Sequence, residues 1–227
     1  MTAASFLAAL QLSDSALPIG RFVHSHGLER WVAACGAVEL ERLGELVESA
    51  VCAGVAPLDG VVVAHAHGAG SLAELSELDR LLTARKLSPP ARAASQSCGR
   101  QLAALAPTLA ADDPLLARLA GAVADRRTDG NLAVVEGALA RAGGLGREQA
   151  VLLALRGAAA SLLSAAVRLG AASPVRAQTL LATLHPAIER AAGHALGLTL
   201  DDMHSSSLEL ETHALTHRRA NARLFAT

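Results

Sequence analysis

The chain has 227 residues, a formal net charge of −1 and only 2% aromatic residues, with no tyrosine. Nucleic-acid-binding proteins hold phosphates with basic surfaces and stack bases on aromatic side chains, so this composition excludes nucleic acid as an expected partner. Cys35, Cys52 and Cys98 are widely spaced and form no Cys-x-x-Cys pair. This pattern favours buried, reduced thiols over disulfides or a zinc site.

No segment is predicted to cross a membrane. The longest stretch without Asp, Glu, Lys or Arg runs from Gly60 to Ala73, whereas a transmembrane helix needs roughly 18 apolar residues in succession. The first basic residue is Arg21, so the N-terminus lacks the positive region of a signal peptide. We therefore expect a cytoplasmic protein.

Helix is favoured along almost the whole chain. Alanine and leucine dominate, and runs that alternate β-branched or aromatic residues with polar ones are missing. Helix starts are predicted at Ser71–Glu74, which forms a capping box, and at Pro57, Pro89, Pro114 and Pro174. Together these signals predict a single compact all-α bundle of about nine to eleven helices, formed by residues 1–227.

The stretch from Arg147 to Leu169 is the longest and most apolar predicted helix, with Arg156 and Arg168 as its only interior charges. Small residues from Gly157 to Ser161 allow another helix to approach closely. We expect this to be the central core helix. We also expect a two-fold dimer, because the long apolar helices need more cover than a thin bundle provides.

Motifs of catalysis are missing. Gly143-Gly144-Leu145-Gly146 lacks the Lys and the Ser or Thr of a phosphate-binding loop. The pairs Asp112–Asp113 and Asp201–Asp202 precede predicted helices, where carboxylates cap free N–H groups more readily than they bind metals. No Gly-x-Ser-x-Gly nucleophile motif occurs. We expect no enzymatic activity and no cofactor.

Three pairs of histidines leave a metal role open. His24 and His26, and His65 and His67, are two residues apart, while His213 and His217 are four apart and share a helix face. Imidazoles at that spacing can bind one zinc or nickel ion, although a lone pair makes an incomplete site. The alternative is that these histidines are solvated or hydrogen-bonded.

The two ends of the chain have distinctive sequences. Residues 1–30 include LQLSDSALPIGRFVHSHGLE, where polar turn residues and glycines interrupt helix, and such irregular loops often carry recognition. The tail, residues 217–227, contains Arg218, Arg219 and Arg223 before Leu224 and Phe225. This tail is either a docking peptide, mobile until its partner binds, or the frayed end of a helix.

These same ends resemble the urease accessory protein UreF family. The N-terminal LQLSDSALPIG with HSHGLE and the C-terminal LETHALTH with ARLF carry the resemblance, and APLDG, LLTARK, NLAVVEGALARAGGL and AAVRLG follow in the family's order between them. The resemblance covers the full length of the chain. The N-terminal block is its most specific part.

The resemblance implies an all-helical, dimeric protein that is not an enzyme. It implies that the protein joins UreD (also called UreH) and the GTPase UreG, regulates that GTPase and helps to insert nickel into apo-urease. The alternative is a nickel-binding metallochaperone that uses its histidine pairs. Carried over by position, the residues implied in partner binding are Ser13, Asp14, Pro18, Gly20, Phe22, His24, Ser25, Gly27, Glu29, His217, Arg223, Leu224 and Phe225.

The chain also departs from the family pattern at four positions. A small residue is common where Arg21 stands, an aromatic where His26 stands, and a histidine where Asn131 stands. In the tail a glutamate usually occupies the position of Arg218. The departure in the tail concerns that segment's detailed contacts, and all four leave the resemblance intact.

Overall fold

The computed structural model describes residues 2–217 and 224–225, without the side chains of 216 and 217. Eleven α-helices occupy this part of the chain, which confirms the predicted all-α bundle. The helices are α1 (Ala3–Ser13), α2 (Leu28–Cys35), α3 (Leu40–Gly68), α4 (Leu72–Arg85), α5 (Pro89–Leu109), α6 (Pro114–Ala124), α7 (Leu132–Ala142), α8 (Arg147–Arg168), α9 (Pro174–Thr183), α10 (His185–Gly197) and α11 (Leu208–His217).

Side-chain caps begin five of these helices, four of them at starts that the sequence predicts. The Ser71 hydroxyl accepts a hydrogen bond from the Glu74 backbone N–H at 3.2 Å, and Asp113 accepts one from Leu116 N at 2.7 Å. Ser88 and Ser173 cap α5 and α9 in the same way, each directly before a proline. Each cap satisfies an N–H that the first helical turn leaves without a partner.

Pro57 does not begin a helix, contrary to the prediction. It lies inside α3, where the turns widen to π-helical geometry from Ala50 to Gly60. Because proline has no N–H, the Ala53 carbonyl loses its usual donor. That carbonyl instead accepts from the backbone N–H of Ser206 at 2.9 Å and from its hydroxyl at 3.1 Å. The chain before α11 is thereby fixed to the irregular part of α3.

The core is aliphatic and centres on α3, α7 and α8. Val62, Val135, Val151 and Leu155 are fully buried there. The helices α3 and α7 cross closely at Gly137, where a Cβ atom would lie 2.5 Å from the Val63 carbonyl oxygen. A side chain at this position would therefore force the two helices apart.

Within the described residues, two helices are long and apolar enough to cross a membrane. The criterion of an uninterrupted apolar run in the sequence does not detect them. They are α3 and α8, with mean hydropathies of 1.7 and 1.9 over their most apolar windows. A hydropathy window can include one or two charged residues, whereas an uninterrupted apolar run ends at the first charged residue. In α3, 67% of the window is buried inside the bundle, as in a core helix, and in α8 only 50% is buried.

A buried carboxylate fixes the loop between α6 and α7. Asp79 is 1% exposed and accepts hydrogen bonds from the backbone N–H groups of Gly130 and Asn131, both at 2.7 Å. It also accepts from the Asn131 side-chain amide at 2.8 Å and from the Thr128 hydroxyl. Asn131, one of the four departures from the family pattern, thus helps to hold this loop against α4.

Candidate functional site

The N-terminal block, residues 13–29, is the irregular segment that the sequence predicts. The backbone of this block turns at Gly20 and Gly27, whose φ angles of +77° and +92° favour glycine. Asp14 closes the turn after α1 by accepting from the Ala16 backbone N–H at 2.8 Å. A short 3-10 helix follows at Arg21–Val23, and His26, with φ +52°, leads into the turn before α2.

Gly27 and Trp31 join this block to α11. A Cβ atom on Gly27 would lie 2.8 Å from the backbone nitrogen of Ala214 and closer still to the carbonyl oxygen of Leu210. The Trp31 indole N–H donates to the Glu209 carboxylate at 2.8 Å, and the same carboxylate accepts from the Arg42 guanidinium. The last helix is therefore held directly against α2.

The end of the tail also lies on the N-terminal block. The Glu29 carboxylate accepts from the backbone N–H groups of Leu224 at 2.6 Å and Phe225 at 3.3 Å. The Arg168 guanidinium lies 4.1 Å from the centroid of the Phe225 ring and 5.9 Å from that of Phe22, and donates to the Phe22 carbonyl. We call these five residues the terminal surface: Phe22, Glu29, Arg168, Leu224 and Phe225.

The two apolar residues of the tail have different environments. Leu224 is 57% exposed, and Phe22 beside the same arginine is 62% exposed. Phe225 is 4% exposed and packs into the chain's own core. Leu224 is therefore left exposed, while Phe225 fixes this end of the tail to the core. Arg168 was missed as a site residue because its sequence position shows only a charge near the end of an apolar helix.

The other residues implied in partner binding differ in how exposed they are to solvent. Asp14 and Pro18 are exposed, and Ser13 is half-buried. His24 and Ser25 are buried, so they lie on the inner side of the N-terminal block rather than at its surface. Gly20 lies against the Gln101 side chain. The His217 side chain, Arg218 and Arg223 lie outside the described residues, so their predicted roles stay predictions.

A cavity of about 230 Å³ lies beneath the N-terminal block and α11. Its walls carry mostly small side chains from α3, α5 and α8, among them Gly54, Ala94 and Ala158. Two of the four departures from the family pattern border it, Arg21 and His26.

Two cationic side chains at this cavity form ion pairs with carboxylates. The Arg21 guanidinium pairs with Glu136, and Lys86 pairs with Asp59 at 2.7 Å. Gly157 leaves room for the Arg21 side chain, whose guanidinium would meet a Cβ atom there. Desolvation by the surrounding protein, together with the positive charges nearby, lowers the pKa of His26 to about 4. His26 is therefore uncharged at neutral pH, although it is an exposed residue at the edge of the cavity.

Among residues 2–215 and 224–225, whose side chains are described, no group of three or more His, Cys, Asp or Glu could hold a metal ion. His67 is engaged by the Leu145 carbonyl oxygen at 2.8 Å. The predicted metal-binding pair His213 and His217 stays a prediction, because the His217 side chain lies outside that range.

The thiols and the acidic pairs differ in part from the predictions. Cys98 is buried, but Cys52 is half-buried and Cys35 is exposed, which corrects the expectation that the thiols are mostly buried. Asp113 caps α6 as predicted. Asp202 instead closes a turn by accepting from the backbone N–H of Thr199 at 2.9 Å, because no helix begins there.

Comparison with known proteins identifies the family of this chain. Residues 39–185 match the model of the UreF family. The urease accessory protein UreF of Corynebacterium efficiens is 30% identical over 96% of this chain and 95% of its own length. The proteins of the same name from Cereibacter sphaeroides and Trichodesmium erythraeum are 32% and 29% identical, and at least 96% of each chain is covered. The chain therefore belongs to the UreF family of urease accessory proteins.

Proposed function

We propose that this protein is a non-catalytic cytoplasmic scaffold in urease maturation, which binds UreD through its terminal surface and acts on the GTPase UreG by contact during nickel insertion into apo-urease. One observation carries the proposal. Two segments almost 200 residues apart in sequence meet at the terminal surface, where Phe22, beside Arg168, and Leu224, bound through its backbone N–H by Glu29, are both exposed.

Two exposed large apolar side chains can contribute a substantial part of the binding energy for a partner. Full burial of a side chain such as Phe or Leu is worth about 1.5–3 kcal/mol. Binding energy at protein interfaces concentrates in a few such anchors, surrounded by polar residues that exclude water. At this surface Phe22 and Leu224 are the anchors, and Glu29 and Arg168 are the neighbouring polar groups.

The action on UreG is proposed to require contact rather than chemistry. Phosphoryl transfer needs a phosphate cradle and groups that hold Mg²⁺, and the sequence has no phosphate-binding loop. We therefore expect no GTP turnover by this chain alone and a changed turnover by UreG in its presence. GTP hydrolysis that scales with the concentration of this purified chain would contradict the proposal.

The proposed homodimer has support in α8. This helix has the higher mean hydropathy of the two long helices, yet only half of its most apolar window is buried. A second copy packed over half-buried residues of this helix, such as Leu152 and Val167, would remove their remaining apolar surface from water. Light scattering at tens of micromolar should then give a dimer, and a strict monomer would contradict this part of the proposal.

Co-purification with UreD and UreG homologues tests the docking role. The double variant Phe22→Ala, Leu224→Ala should retain much less UreD than the natural chain. The matched control is Phe6→Ala, Leu7→Ala, which removes two apolar side chains that are 48% and 64% exposed on α1.

The control pair is remote from the terminal surface. Helix α1 packs beside Gly143, before the start of α8, whereas Arg168 ends α8, and a helix of this length is roughly 30 Å long. Equal retention by the natural chain and the Phe22, Leu224 variant would refute the docking role. Nickel retained by the isolated chain on dialysis would instead support the metallochaperone alternative at His213 and His217.

A further inference from the structure

We infer that Arg168 is a positioning residue that joins the N-terminal block and the tail into one preformed docking surface. This inference rests on the proposed function, because it concerns the same surface. It goes further in assigning to one side chain the task of holding the two exposed anchors, Phe22 and Leu224, in a fixed relation before a partner arrives.

The contacts of Arg168 reach both segments at once. Its guanidinium donates to the Phe22 carbonyl, which belongs to the N-terminal block. It also lies 4.1 Å from the centroid of the Phe225 ring, within the range of a cation–π interaction, and 5.9 Å from that of Phe22. Arg168 therefore contacts a residue from each end of the chain.

Arginine suits this place better than lysine. Its planar guanidinium can stack on an aromatic ring while its N–H groups donate to a carbonyl, whereas an ammonium is a compact, strongly hydrated charge. Arg168 is also the last residue of α8, where the helix dipole favours a positive charge. Both effects hold the side chain at the junction.

Glu29 provides the second attachment of the tail. It accepts the backbone N–H groups of Leu224 and Phe225, and it does so whatever side chains these residues carry. The Phe225 ring is held by its burial in the core and by the Arg168 guanidinium over its face. Loss of Arg168 should thus loosen the Phe225 ring without removing either exposed anchor.

The consequence is a loss of preorganisation. If Leu224 and Phe225 are loosened, they must be ordered again when UreD binds, and the cost of that ordering reduces the affinity. We expect Arg168→Gln to weaken binding roughly tenfold or more although Phe22 and Leu224 are unchanged. Arg168→Lys, which keeps the charge but not the planar group, should give an intermediate loss.

Fluorine NMR can observe the tail directly. The chain has three phenylalanines, so labelling with 4-fluorophenylalanine gives three signals, assigned by replacing Phe6, Phe22 and Phe225 one at a time. In Arg168→Gln the Phe225 signal of the free protein should move towards its position in the unfolded chain, and the Phe6 signal should stay. Arg176→Gln, at an exposed position on α9, is the matched control and should move neither.

The two measurements separate the inference from the proposed function. If the Phe225 signal of folded Arg168→Gln stays in place, or if it moves while UreD binding is unchanged, the inference is wrong. If Phe22→Ala, Leu224→Ala binds UreD as the natural chain does, the proposed function fails, and the fluorine signals still decide whether Arg168 holds the tail. Should Arg168→Gln fail to fold, as judged by circular dichroism, Arg168→Lys takes its place in both measurements.

Discussion

Replacing Gly27 with alanine should loosen α11 from the rest of the protein. Gly27 has φ +92°, a conformation that costs a residue with a side chain roughly 1–2 kcal/mol. The new Cβ atom would also lie 2.8 Å from the Ala214 backbone nitrogen. Since a backbone atom cannot turn aside as a side chain can, α11 has to move.

The magnitude follows from what that movement exposes. Leu210 is 4% exposed, and the loss of such burial costs about 1.5–3 kcal/mol. Together with the backbone strain, Gly27→Ala should lower the free energy of unfolding by about 2.5–5 kcal/mol. Domains are typically stable by about 5–15 kcal/mol, so we expect the variant to fold with a loosened last helix.

Trp31 reports this movement and Gly170 supplies the control. Trp31 is the only tryptophan, is 2% exposed and donates to Glu209 of α11, so its fluorescence should shift to longer wavelength when α11 moves. Gly170 has φ +72° with open space around it, so Gly170→Ala tests strain alone. If urea unfolding shows equal losses for the two variants and Trp31 emission is unchanged, the close approach of Gly27 to α11 does not matter.

Two further predictions concern stability. Asp79→Ala leaves buried N–H groups without an acceptor and should cost about 3–5 kcal/mol, whereas Asp129→Ala, at an exposed position of the same loop, should cost less than about 1 kcal/mol in the same urea titration. The pKa of His26 falls from 6.5 to about 4 on folding, so the unfolded chain binds more protons between these values. Stability should therefore decrease as the pH is lowered through this window. His26→Gln should flatten the pH dependence of the melting temperature, and an unchanged slope would contradict this assignment.

Local signals in the sequence were sufficient for much of the fold. Helix caps such as Ser71 and Asp113 act within one turn, so their side chains and partners are neighbours in sequence. The apolar helix from Arg147 was predicted to end within one residue of its observed end. Pro57 was misread because its helix continues only with donors from Ser206, which is distant in sequence.

The candidate site was predictable in its two segments but not in their connection. The N-terminal block and the tail were both chosen from sequence, and the structure places Glu29 against Leu224 and Phe225. Arg168 was overlooked because its partners, Phe22 and Phe225, are far from it in the chain. A single sequence contains no signal for such pairs, since no spacing or motif connects them.

The way in which the ends are attached suggests why they can serve as a docking surface. Helix α11 is held by the close approach at Gly27, by polar contacts through Glu209 and Ser206, and by a few buried apolar side chains such as Leu210. A net hydrogen bond contributes only about 0.5–1.5 kcal/mol, so this region should open locally at a lower cost than the aliphatic core of α3, α7 and α8. A partner that buries Phe22 and Leu224 could therefore stabilise the ends against this local opening, because its binding energy is comparable with that of the contacts already present.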